Sequence, residues 1–262
     1  MRSAEPEMDI VVLMKRVPDP NISEQFVSIS DAQDDIVVHA STQYSINLYD
    51  LNAVEAALAL KESLGATITV VTADDATADQ YLRRAVAMGV DSALRVDLPA
   101  DARRDPFKTA DALISALKAK GTPSLILGGR QSSDTDAGYV PYLVAQGLGV
   151  PVIAPVVTIK SATDQTVRVG KLAEATIDEY ELPLPAMILV SNEINKPRVP
   201  GLKGVMVAKK AVIDVAPAGH SERSGVAPKY QPKKDQRSVQ ATRFIEGSDE
   251  DKAAALVAAL GK

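Results

Sequence analysis

Apolar positions along this chain follow two alternating patterns: short unbroken runs, and longer stretches in which they return every three or four residues. The first run, "DIVVLMKRV" from Asp9 to Val17, is closed by Pro18, Asp19 and Pro20 and reads as a strand buried on both faces. A polar stretch from Asn21 to Ser45 has the character of a hairpin. In "NLYDLNAVEAALALKESLG" Leu51, Val54, Ala57, Leu58 and Leu64 recur at helical spacing, with Asp50 placed to cap the helix and Gly65 to stop it. The alternation continues. "ATITVVTA", "SALRVDL", "PSLILGG" and "VPVIAPVVTI" predict strands, and "ATADQYLRRAVAMGVD", "PFKTADALISALKAKG" and "YVPYLVAQGLG" predict the helices between them. Strands alternating with helices at this spacing specify an α/β fold: a doubly wound, mostly parallel sheet of the Rossmann-like kind.

From Ser161 the period changes. "VRVGKLAEATIDEYELPLPAMILVS" alternates like strands and contains no long helix, so a hairpin and an edge strand finishing the same sheet are expected. Beyond Asp214, "APAGHSERSGVAPKYQPKKDQRS" is polar and rich in Pro, Gly and Ser, and reads as an extended arm. "GSDEDKAAALVAALGK" restores helical character, with Ser248 as N-cap and Glu250 and Asp251 at the positive end. The expected organisation is an α/β domain over residues 1–214 and a C-terminal arm over 215–262, whose short helix needs a surface to dock on.

Composition narrows the chemistry. A net charge of −5 offers no general affinity for phosphate backbones, so no nucleic-acid partner is expected. With no cysteine, and only His39 and His220, thiolate chemistry, disulfides and a histidine-rich metal site fall away, and no metal is expected. The start, "MRSAEPEMDIVVLMKRVPD", lacks the apolar run of a signal peptide, and "IVVLM" is too short to span a bilayer. The expectation is a cytoplasmic protein without membrane insertion, or a mitochondrial matrix protein in a eukaryote.

Ligands of open parallel sheets bind beyond the carboxyl ends of strands, near helix N-termini. Three loops meet that description: "KRVPDP", "TADDAT" and "GGRQSSDTDAGYV". In the third, Gly128, Gly129 and Gly138 let backbone approach a ligand while Ser132, Ser133 and Thr135 offer hydroxyls. A phosphate at the N-terminus of the following helix is one reading, and a capped turn without a ligand accounts for the same residues. Neither a GxGxxG fingerprint nor a P-loop is present. Asp134 and Asp136 suit capping or loop-holding better than paired acid/base work, and no catalytic constellation emerges. In "VSNEINKPRVPGLKGVMVAKK", Leu202 stands among prolines and glycines, between the basic pieces at Lys196 and Arg198 and at Lys209 and Lys210. One apolar anchor in a charged rim suits a transient docking surface.

That segment resembles the signature stretch of the β subunit of electron transfer flavoproteins. "VVLMKRVPDP", "SINLYDLNAVEAALALKE", "LRRAVAMGVDSALRV" and "LILGGRQSSDTDAGYVPYLVAQGLGVP" are similar to that family's stretches, in order, over about Asp9 to Val215. The resemblance implies an electron carrier with no catalytic residues of its own, and an obligate heterodimer with an α subunit that holds most of the FAD. It implies a second nucleotide in this subunit: AMP in the common type, or a second FAD in the electron-bifurcating type. Carried over, the nucleotide contacts are Met14, Lys15, Asn47, Asp50 and Thr72, with a phosphate loop of Gln131, Asp134, Asp136, Ala137, Gly138, Tyr139 and Val140. AMP-type members carry polar residues where Gly138, Tyr139 and Val140 stand. Bifurcating members share the valine but read Asp-Thr-Ala-Gln-Val-Gly-Pro against "DAGYVPY" here, so Val140 and "KRVPDP" lean to FAD. Residues 195–207 correspond to the recognition loop, with Leu202 inserting into a flavin dehydrogenase of the acyl-CoA type, flanked by Lys196 and Arg198. Outside the family, a stand-alone nucleotide-binding or sensing module fits the same architecture.

Overall fold

The computed structural model describes residues 8–33, 35–221, 223–225, 229–231 and 244–260. In chain order its elements are β1 (Asp9–Leu13), β2 (Arg16–Pro18), β3 (Val27–Ile29), β4 (Ile36–Val38), β5 (Tyr44–Ile46), α1 (Leu48–Leu64), β6 (Thr67–Asp74), α2 (Asp79–Met88) and β7 (Ser92–Asp97). There follow α3 (Ala100–Arg103), α4 (Pro106–Lys120), β8 (Leu125–Gly129), α5 (Tyr139–Leu148), β9 (Val152–Ala162), β10 (Thr166–Leu172), β11 (Ile177–Pro183), β12 (Ala186–Val190), α6 (Leu202–Lys210), β13 (Asp214–Pro217) and α7 (Asp249–Leu260). Two units separate after Tyr230, and α7 lies in the second.

Nine strands form the main sheet in the order β11-β10-β9-β12-β8-β1-β6-β7-β13. Its centre is parallel, and only the β9-β10-β11 end runs antiparallel. Period-two alternation sorts β1 between two cores. Ile10 and Val12 face a layer under α1 and α2, while Val11 and Leu13 face one under α4 and α5. The doubly wound α/β fold read from the sequence is therefore the fold observed. The Asn21–Ser45 stretch contains the expected hairpin, β3 against β4, and β5 pairs back on β2.

Three local readings change. "AMILV", expected at an edge, lies between β9 and β8, because every residue of β12 is buried on both faces and a strand of that kind belongs inside a parallel sheet. Residues 214–217, at the start of the arm, add β13 to β7 in parallel. After it, Ser221 and Arg223 hydrogen-bond Asp111, and Gly225 N–H donates to Asp105, so this stretch follows α4. Lastly, α1 begins at Leu48 with Asn47 before it, so Asp50 lies within the first turn and is not the cap.

The C-terminal helix α7 begins as read. Asp251 N–H donates to Ser248 Oγ (3.2 Å), and Ser248 N–H donates back to Asp251 Oδ2 (3.2 Å). Leu256, Val257 and Leu260 of α7 are exposed. No helix among the described residues is long and apolar enough to cross a membrane, and no group of potential metal ligands occurs among them.

α6 lies against α2 at a separation set by Gly204. A Cβ there would stand 2.1 Å from the Ala87 carbonyl oxygen, which is backbone and cannot turn away. Gly204→Ala is expected to force the two helices apart and cost on the order of 1–3 kcal/mol, read as a lower urea midpoint. An unchanged midpoint would show that α6 can move outward freely.

Candidate functional site at the switch point of the sheet

From β1 the chain winds to β6 and β7 on one side, then returns with β8 on the other. The carboxyl ends of β1 and β8 therefore diverge into loops that leave in opposite directions, which opens a crevice at the switch point. Lys15 lies just past the end of β1, Gly129 ends β8, and Asp50 in the first turn of α1 bonds to both.

One carboxylate joins these pieces. Asp50 Oδ2 accepts from Lys15 N–H (2.8 Å) and Oδ1 from Gly129 N–H (3.0 Å). The packing leaves no room for a side chain at residue 129, since a Cβ would fall 2.6 Å from Asp50 Oδ1 and 2.5 Å from Tyr49 Cβ. Burial raises the Asp50 carboxyl; hydrogen bonds from Lys15, Gly129 and Asn47 and the Lys15 charge pull it back, and the result is about 7.

Asn47, freed from capping, crosses to the phosphate-loop candidate. Its Nδ2 donates to the Gln131 carbonyl (2.8 Å), and its Oδ1 accepts from Ser133 N–H (3.1 Å). Inside the loop Gln131 Nε2 donates to Asp136 Oδ1 (2.8 Å), and Lys15 Nζ pairs with Asp134 Oδ2 (2.7 Å). Burial alone would raise the Asp134 carboxyl, but the Lys15 ammonium together with hydrogen bonds from Ser132 and Thr135 more than offsets it, and the net shift is downward. Both aspartates are thus engaged within the loop. The first turn of α5 carries no acidic residue, so its N-terminal N–H groups face outward without a resident anionic side chain of that turn. Gly138 precedes α5 at φ +64°, and a Cβ there would lie 2.8 Å from the Arg130 carbonyl.

Met14, Lys15, Asn47, Asp50, Gln131, Asp134 and Asp136 come together at this edge. Thr72, at the end of β6, is only 2% exposed and lies within the wall, and Tyr139 points into solvent. The competing loop after β6 is already saturated: Arg16 forks onto Asp74 (3.0 and 3.1 Å), and Arg103 pairs with Asp74 and Asp75. By contrast, Ser133 Oγ and Arg130 Nε are buried and lack a hydrogen-bond partner among the described residues. A donor-rich loop at a helix N-terminus with two such groups fits a phosphate-bearing ligand.

The basic loop occupies a different place. Leu202 opens α6 and is 80% exposed; Val199 is 88% exposed and Lys196 is also at the surface. Arg198 instead turns inward to α1, where it meets Glu55 and Glu62.

The family profile described as "Electron transfer flavoprotein domain" matches residues 35–221. The chain belongs to the electron transfer flavoprotein family. The protein named "Electron transfer flavoprotein subunit beta" in Bacillus subtilis (strain 168) is 32% identical over 209 residues, which cover 79% of this chain and 78% of that one. Its namesake in Mycobacterium leprae (strain TN) is 34% identical over 217 residues, with coverage of 79% and 78%. Within this family the chain falls with the β subunits.

Several members of the polar framework are not evident from the sequence. Arg130 reads as a loop cation, yet its guanidinium lies 5.4 Å from the Tyr49 ring centroid. Asn52 and Glu55 read as ordinary helix positions, although an asparagine within the apolar stripe of α1 is a usable signal. Asn52 is 2% exposed and is bonded to Asn195.

The Asp50 carboxyl binds its proton more tightly in the folded protein than in the unfolded chain, where the value is 3.8. Its contribution is therefore full below the unfolded value and is lost as pH rises through about 7. Asp50→Asn is expected to flatten the fall in urea midpoint between about pH 4 and about pH 7 relative to the wild type. Parallel profiles would show that Asp50 ionises in the fold as it does in the unfolded chain.

Proposed function

We propose that this chain is the β subunit of a heterodimeric electron carrier: it holds an adenine nucleotide at the 131–140 loop, pairs with an α subunit that holds most of the FAD, and docks flavin dehydrogenases of the acyl-CoA type. The observation that carries the nucleotide assignment is the pair of buried, partnerless groups, Ser133 Oγ and Arg130 Nε, in a loop at the N-terminus of α5. Membership of the electron transfer flavoprotein family supports the carrier role.

In this reading Lys15, Gln131 and Ser133 orient the phosphate, Asn47 holds their loop in register, and Gly138 admits the backbone turn that presents the α5 amides. A flavin bound here supplies electron-transfer chemistry, whereas AMP supplies structure alone. The protein's own residues bind and position, and none is assigned a proton-transfer step. Leu202 and Lys196 provide the contact with the dehydrogenase, and α7 provides the arm's seat on the α subunit.

Co-purification with the α subunit, followed by counting FAD and AMP released per heterodimer, tests the nucleotide assignment. Two FAD and no AMP mark a bifurcating carrier, and one of each marks a shuttle with a structural nucleotide. A single FAD with nothing further overturns the assignment. Lys15→Gln is expected to lower occupancy of the second nucleotide roughly tenfold by removing one charge-assisted contact. For docking, Leu202→Ala is expected to raise the KM of electron transfer from an acyl-CoA dehydrogenase about tenfold or more, with FAD content retained. An unaltered KM removes Leu202 from the contact.

A further inference from the structure

The loop that carries Leu202 cannot hold its own shape. Pro197 and Pro200 lack N–H donors, and Gly201 adds no side chain to pack, so residues 195–201 have little means of building an internal ladder. Their fixed points come from elsewhere.

At the start of the loop two asparagines exchange side-chain-to-backbone hydrogen bonds. Asn52 Nδ2 donates to the Asn195 carbonyl (2.9 Å), and Asn195 Nδ2 donates to the Asn52 carbonyl (3.0 Å). Three residues on, Glu55 takes hold of both the backbone and the side chain of Arg198. Its Oε2 accepts from Arg198 N–H (2.9 Å) and Nε (2.9 Å), and its Oε1 accepts from Nη2 (2.9 Å). Glu62, two turns further along the same face of α1, accepts from Nη1 (2.6 Å). The hydrogen bonds that the Arg198 guanidinium donates to Glu55 and then Glu62 hold its pKa well above the ordinary value. At the other end, α6 is seated on α2 through the close approach at Gly204. Leu202 is therefore suspended between two fixed helices.

We infer that Asn52 and Glu55 of α1 are positioning residues for the Leu202 loop, and that Arg198 is the loop's anchor to them and not part of the surface a partner touches. The inference rests on the docking role proposed for Leu202. It assigns α1 two tasks on one rigid rod: Asn47, just before the helix, and Asp50 in its first turn bind the nucleotide crevice, while Asn52 and Glu55 in the next turns bind the docking loop. At a rise of about 1.5 Å per residue these sets lie only about 8 Å apart along the axis. The apolar contact is thereby held at a fixed distance from the crevice.

The test uses the purified heterodimer with its FAD and three variants: Glu55→Gln, Arg198→Gln and the conservative Arg198→Lys. Amide hydrogen exchange over residues 195–201 reads loop position directly, and KM and kcat for electron transfer from an acyl-CoA dehydrogenase read its consequence. Glu55→Gln and Arg198→Gln are expected to speed exchange there roughly tenfold and to raise KM by a similar factor with kcat and FAD content retained, as loss of a forked charged contact allows. Arg198→Lys, which keeps the charge but not the fork, is expected to fall between them and the wild type. Unchanged exchange in both glutamine variants overturns the inference. So does a raised KM in Arg198→Gln alone with exchange unaltered, since Arg198 would then be touching the partner. Faster exchange with unchanged KM sustains the positioning role and refutes docking through Leu202.

Discussion

The Asp50 carboxylate accepts one hydrogen bond from the end of β1 and one from the end of β8, the two central strands that diverge at the switch point. Without an acceptor between them, two buried N–H groups would face each other across the crevice at a cost of about 1–3 kcal/mol each. The approach is so close that residue 129 must be glycine. Everything else at this edge is arranged around that bridge: the first turn of α1 is held in place by it, and Asn47, one turn earlier, then reaches the loop from Gln131 to Ser133.

α1 is consequently more than a cover for the sheet. Its apolar stripe, with Val54, Ala57 and Leu58, fills the core layer it shares with α2. Its polar positions do the joining, to the crevice at one end and to Asn195 and Arg198 further along. A helix is suited to this because its internal hydrogen bonds make it stiff along its axis. The acidic residues of the molecule are spent in the same way. Asp74 and Asp75 take up Arg16 and Arg103, and Asp134 takes up Lys15. The loop before α5 is marked by two buried atoms, Ser133 Oγ and Arg130 Nε, without a hydrogen-bond partner among the described residues, and not by net charge.

Much of this was legible in the chain. Unbroken runs such as "IVVL" and "LILGG" mark strands buried on both faces, and helices end where Gly65, Gly89 and Gly149 stand, so the doubly wound sheet follows from periodicity alone. Lys15, Asn47, Asp50 and the residues from Gln131 to Val140 lie in the stretches that carry the family resemblance, and it is the resemblance that marks them as nucleotide contacts. The place of "AMILV" was not legible, since an apolar pentapeptide states that it is buried but not between which neighbours. The direction of the Arg198 side chain was equally hidden, because a cation next to an exposed leucine looks the same whether it faces a partner or its own helix.

The sequence by itself determined the fold class, the capped start of α7, the absence of thiolate chemistry and the loops that bear polar groups at the sheet's carboxyl edge. These depend on contacts between near neighbours and on residue chemistry, which local pattern encodes. Only the tertiary structure decided strand order, the conversion of Asp50 from presumed cap to buried bridge, the saturation of the loop after β6 and the clamp of Asn52 and Glu55 on the Leu202 loop. Each of those joins residues far apart in the chain, 143 positions in the case of Glu55 and Arg198. Such pairings arise only once the core has fixed where every element lies.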